Sequence, residues 1–140
     1  MTADGRYGIR LGQTSAEAEA DLRAAIADAC AADDFLRDHP ATVEITGGRF
    51  GAARVPSDHV LPTGLADVIE EVTGRRPTLL AEPYGADMQM FVNVGSTPCV
   101  IFGPGDVRVA HSADEHVPVD EVETCAQVLA AWVLRELGTV

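Results

Sequence analysis

Lysine is absent from the 140 residues, and the ten basic side chains, all arginine, face 22 acidic ones for a formal net charge of −12. A surface so short of positive charge repels a phosphate backbone, which excludes nucleic acid as an expected partner and disfavours an anionic membrane. Long apolar runs are missing too. The longest, Val128 to Leu134 (VLAAWVL), is too short to span a bilayer, and the start MTADGRYG lacks the basic-then-apolar layout of a secretory signal. A cytoplasmic chain is expected. Cysteine is sparse: Cys30, Cys99 and Cys125 are an odd number with no C-x-x-C spacing, which argues against a disulfide framework or a zinc knuckle. Each lies in an apolar pattern and reads as a small buried hydrophobe.

What is present is the composition of a folded globular protein, 46% apolar, with about one domain's worth of chain. RYGIRLG, residues 6 to 12, alternates with Tyr7, Ile9 and Leu11 on one side, the pattern of a half-buried strand. Thr14 and Glu17 then stand at capping-box spacing before a helix whose apolar stripe is Leu22, Ala25, Ile26 and Ala29. TVEIT, residues 42 to 46, alternates again as a second strand. The stretch from 47 to 64, rich in Gly and Pro, reads as a connection.

Beyond it, Leu65, Val68, Ile69 and Val72 predict an amphipathic helix closed by Gly74 at C′. A strand is expected around Thr78 to Ala81, a short helix from about Ala86 to Asn93, and a strand over PCVIF, residues 98 to 102. That last run is apolar at every position, as in a strand buried on both faces. The final helix should begin at Asp120, with Glu123 at capping-box spacing, carry Val122, Cys125, Ala126, Leu129, Trp132, Val133 and Leu137, and end at Gly138. The expected fold class is therefore α/β in two parts. Its second part has only two convincing strands, a poor sheet by itself, so the expectation is that either another chain completes the fold or the sequence is part of something larger.

Candidate chemistry gathers in GPGDVRVAHSADEHVPVDE, residues 103 to 121. Gly103-Pro104-Gly105 lets the backbone approach a ligand closely, and His111 follows within reach of the same crevice. Imidazole is a good zinc ligand, and Asp106, Asp114 and Glu115 could supply oxygen ligands or fix the tautomer. Four ligands do not assemble convincingly from this loop alone, and on spacing alone His111 reads more simply as the cap of a turn on a solvated acidic loop. His116 reads as loop surface, and His39 and His59 as structural. Asp87 is either an N-cap or a functional carboxylate.

The succession from PYGADMQMF through GPGDVRVAHSADEHVPVDE to the last helix resembles the C-terminal part of the M20 family of metallopeptidases, with acetylornithine deacetylase, succinyl-diaminopimelate desuccinylase and carboxypeptidase G2 among its members. The specific feature is the order: G-x-D, an apolar run, GPG, A-H-x-x-D-E, and an acidic helix start. The upstream DGRYGIRLGQT, DDFLRDHPATVEITGGRF and VPSDH resemble the second half of that family's lid domain. The resemblance implies a partial strand-helix-strand lid, with a dimerisation role, over residues 1–57, and the C-terminal part of an α/β zinc-peptidase catalytic domain over 58–140. It implies hydrolysis of the amide bond of N-acyl amino acids or small peptides by a metal-activated water, usually with two zinc ions.

By the same resemblance His111 matches the last zinc ligand, Gly103, Pro104 and Gly105 match a substrate-side loop, and Gly85 and Asp87 match the G-x-D near the substrate. Gln89 stands where many relatives carry an Arg able to grip a carboxylate, a pairing a neutral amide cannot reproduce. The family's remaining ligands and its general base have no counterpart here, and one imidazole does not hold a catalytic zinc. The expectation is therefore a segment inactive by itself, which pairs through its lid as a homodimer or joins an N-terminal catalytic part. The other reading is a non-catalytic, self-associating interaction module.

Overall fold

The structure is a computed structural model that describes residues 2–138. Its elements are four α-helices, α1 (Ser15–Ala32), α2 (Asp34–Asp38), α3 (Val60–Thr73) and α4 (Val119–Leu137), with a π-helical turn at Met90–Val94 and a 3-10 turn at Val107–Val109. They belong to two compact units, one of Met1–Arg54 with Glu82–Ser96, the other of Val55–Ala81 with Thr97–Val140.

The α/β expectation is corrected here: no strand occurs among the described residues, so neither the strand-helix-strand lid nor an α/β catalytic layer is seen. Residues 6–12, 42–46, 78–81 and 98–102 have no ladder. Alternation makes a segment compatible with an extended backbone, but a strand exists only through hydrogen bonds to a neighbour. Side chains meant for a covered sheet face stand in solvent instead, among them Tyr7, Leu11, Ile45, Leu79, Leu80 and Ile101.

In the first unit, α1 begins where its local chemistry requires. The Thr14 hydroxyl accepts from the Glu17 N–H, and the Glu17 carboxylate accepts from the Thr14 N–H at 2.8 Å, a complete capping box. The face turned inward is Ala18, Leu22, Ile26 and Cys30, while Ala25 and Ala29 are exposed. Asp33 ends α1 and starts α2, its carboxylate accepting from the N–H groups of Phe35 and Leu36. His39 closes α2 and stacks on Phe35 with ring centroids 4.6 Å apart. The expected short helix at 86–93 is a π-helical turn, in which the Gly95 N–H reaches the Met90 carbonyl at 2.9 Å.

In the second unit, α3 and α4 pack against each other around Leu65, Val68 and Val128, with Ile69, Val72, Val100, Ala131 and Trp132 partly buried beside them. Each fully buried aliphatic side chain contributes about 1.5 to 3 kcal/mol. His59 caps α3 through Nδ1, which accepts from the Leu61 N–H at 3.1 Å, and Gly74 ends it at φ 73, a left-handed conformation that costs a residue with a Cβ. The start of α4 differs from expectation. It begins at Val119 with Pro118 as N-cap and no side-chain cap, so Asp120 and Glu123 form no capping box.

The helices bury little beyond this seam. The chain exposes 10854 Å². A folded monomer of this mass exposes about 7,000 Å², and even two independent domains of half its size would expose only about 8,400 Å². The three cysteines are free, Cys30 buried and the other two half-buried.

Candidate functional site

The residues singled out by sequence fall in both units. In the first, Gly85 lies so close to the ring of Phe50 that a Cβ would stand 2.6 Å from its Cγ and Cδ2. Only glycine fits there. Asp87 is exposed, and its backbone carbonyl accepts from the Met90 N–H at 2.8 Å, which starts the π-helical turn. Gln89 is half-buried with its side-chain oxygen against Gly51, and Asn93 donates to the Ala52 carbonyl at 3.0 Å. Segment 50–52 is thus docked against the turn that carries Asp87 and Gln89. Sequence reasoning missed Phe50, Gly51 and Asn93, because the contacts they make join 50–52 to 85–93 across some forty positions and no local pattern marks them.

In the second unit the stretch from Gly103 to Pro118 has no regular element apart from the 3-10 turn. Gly103, Pro104 and Gly105 are exposed, and Gly105 has φ 91, which only a residue lacking Cβ adopts without strain. The Asp106 carboxylate accepts from the Arg108 N–H at 2.9 Å and forms an ion pair with the Arg108 guanidinium. His111 is exposed and has φ 63, an uncommon left-handed conformation for a side-chain-bearing residue. His116 is exposed, its Nδ1 2.6 Å from the Asp114 carbonyl.

The Asp106 pair has a consequence in pH. Hydrogen bonds from the Arg108 side chain, then from its N–H, hold the Asp106 carboxyl down to about 2. A lowered folded-state value means that the contribution is complete above the ordinary carboxylate range, shrinks as pH falls below that range and is gone once pH has passed through about 2. In an NMR titration the amides of Val107 to Val109 should therefore hold their positions across the ordinary carboxylate range and move near pH 2. A midpoint close to that of a free aspartate would show that the pair does not form.

A cleft of the first unit, about 530 Å³ and lined by Arg23, Ile26, Cys30, Leu36 and Arg37 among others, contains none of these residues. Both of its arginines are already paired, with Glu19 and Asp34, so it offers no free charge to an anionic ligand.

With that geometry in view, the match to known proteins is decisive for the family: the model of peptidase family M20/M25/M40 matches residues 2–135. The chain belongs to this family. Among curated M20-type relatives, an acetylornithine deacetylase of Myxococcus xanthus is 36% identical over 70 residues, half of this chain and 18% of that protein. A [LysW]-lysine hydrolase of Deinococcus radiodurans is 29% identical over 91 residues, 65% of this chain and 25% of that protein. The aligned part of the chain thus spans about a fifth to a quarter of the length of these relatives. No solved structure matches.

M20 proteins are generally metal-dependent, which poses a direct question to the side chains present. Among the described residues no three His, Cys, Asp or Glu side chains are grouped so as to hold a metal ion. A catalytic zinc takes about three protein ligands, and a single exposed imidazole such as that of His111 offers one nitrogen at most. These residues by themselves do not fit a zinc centre. No helix among the described residues is long and apolar enough to cross a membrane.

Proposed function

We propose that the chain acts as the C-terminal part of a zinc-dependent M20-type hydrolase that cleaves the amide bond of N-acyl amino acids or small peptides, and that it is inactive alone. The observation that carries this reading is the family match across residues 2–135, joined by two relatives whose names describe hydrolases. In this reading residues 1–57 are the second half of a lid and 58–140 the C-terminal part of the catalytic domain. His111 presents one ligating imidazole on an exposed, left-handed turn. Gly103, Pro104 and Gly105 line the substrate side, where a backbone bare of side chains permits close approach. Gly85, Asp87 and Gln89 are the substrate-binding residues of the G-x-D segment, and Gln89 orients an amide or hydroxyl rather than gripping a carboxylate as an arginine would. The general base and remaining ligands belong to additional polypeptide, and the active species is cytoplasmic.

The alternative of a self-associating module that catalyses nothing draws on the unusually large exposed area. The two readings separate on activity after complementation. The purified chain should neither bind zinc tightly by calorimetry nor hydrolyse N-acetyl amino acids. Co-expression with the N-terminal part of an M20 hydrolase should restore hydrolysis, and His111→Ala should remove it. Tight stoichiometric zinc together with hydrolysis by the chain alone would overturn the proposal, and a stable complex without activity would favour the module.

A further inference from the structure

We infer that Glu121 is a positioning residue, which fixes the loop that presents His111 by holding the glycine-proline-glycine turn against the start of α4. The inference rests on the reading of His111 given above; the geometry of the loop stands apart from it.

Glu121 is the third residue of α4, counted from the Pro118 cap. A glutamate at this position ordinarily turns back to the N–H of its own N-cap residue, as Glu17 does with Thr14 in α1. Proline has no N–H, so that partner does not exist at the start of α4. The carboxylate reaches outward instead and accepts from the Gly105 N–H at 2.7 Å, sixteen positions back in the chain. A bond from a backbone amide to an ionised acceptor is among the stronger kinds available, and the carboxylate sits where the helix dipole favours negative charge.

A second contact closes the loop at the same place. At Gly105 a Cβ would stand 3.2 Å from Cγ2 of Val117, so the turn lies directly on the residue that leads into α4. The segment from Gly105 to Val117 therefore leaves and returns at one point, in the manner of an Ω-loop, with His111 within it at φ 63. A left-handed residue on an exposed segment stays in that conformation only while its surroundings impose it. Within the loop the Asp106–Arg108 pair and the Ser112 hydroxyl, which donates to the Val109 carbonyl at 2.6 Å, brace its interior. Glu121 is the side chain that ties the whole to a helix.

The test is amide hydrogen exchange and chemical shift by NMR on the full chain, with Glu121→Ala, Glu121→Gln and, as a control, Glu123→Ala, an exposed neighbour on the same helix. In Glu121→Ala the Gly105 amide should exchange roughly tenfold faster or more, as expected for loss of a bond to a charged acceptor, and the His111 signals should move. The amides of Val68 and Val128 should keep their protection. Glu121→Gln, which retains an accepting oxygen, should restore much of the parent behaviour, and Glu123→Ala should match the parent. Unchanged Gly105 and His111 signals in Glu121→Ala would overturn the inference. So would loss of protection throughout α3 and α4, since Glu121 would then act on the fold and not on the loop, or failure of the glutamine to rescue. None of these readings uses metal or substrate, so an absence of activity on complementation would count against the hydrolase reading alone.

Discussion

Val128→Asp should abolish the cooperative unfolding of the α3–α4 unit. Val128 is 1% exposed and Val68 0%, and they meet with Leu65 in the one seam where these two helices bury apolar surface together. An aspartate there forfeits about 1.5 to 3 kcal/mol of apolar burial. It also brings a carboxyl into an apolar seam where, among the described residues, no charged side chain is buried to pair with it. The group will escape part of the charging cost by taking up a proton, but each unit by which its pKa must rise costs about 1.4 kcal/mol, and several units are usual for full burial. The sum rivals the entire stability of a small domain, about 0.05 to 0.15 kcal/mol per residue. Val128→Ala, which only leaves a void, should lower the melting temperature while keeping a transition. Thermal unfolding followed by far-ultraviolet circular dichroism checks both. A Val128→Asp chain that melts within a few degrees of the parent would mean that this seam is not what holds the unit.

The α3 side of that seam was legible in the sequence, and the reason is locality, whereas on α4 the expected stripe of Val122, Leu129, Val133 and Leu137 is exposed and Val128 with Ala131 turns inward in its place. Leu65, Val68, Ile69 and Val72 recur at helical period, Gly74 stops the helix by conformation, and Thr14 with Glu17 starts α1 through two hydrogen bonds three residues apart. Each signal is complete within a few turns of chain. Strands have no such completeness. PCVIF and RYGIRLG carry the right side chains for a sheet, yet their backbone groups need a neighbour that no short stretch can specify, and among the described residues none is supplied.

The site divides along the same line. His111, Asp87 and the glycines could be picked out because their spacing follows a family order, whereas Phe50 against Gly85 and Glu121 on Gly105 are contacts between distant positions. Glu121 did leave a trace. Capping-box spacing was read at Asp120 and Glu123, but the proline two residues before Asp120 is the actual cap, and a glutamate three places after a cap without an N–H must seek another partner.

In the self-associating state proposed for the chain, the double variant Leu129→Glu, Val133→Glu should give a smaller species without loss of helix. Helix α4 presents two apolar faces. One, with Val128, Ala131 and Trp132, turns toward α3. The other, with Val122, Leu129, Val133 and Leu137, lies exposed, rotated from Val128 by about 100° to 180° at 3.6 residues per turn. A helix apolar over more than half its circumference is one that is covered on both sides. The chain also exposes more area than a folded monomer of its mass. Burial of Leu129 and Val133 in an interface would contribute roughly 3 to 6 kcal/mol together, so replacing both by charges should weaken association by about a hundredfold or more. Glutamate is as good a helix former as leucine and better than valine, so α4 itself should persist. Sedimentation velocity reads the mass and circular dichroism the helix content. A parent that is already monomeric, or a double variant that sediments as the parent does, would show that this face of α4 has no partner in solution.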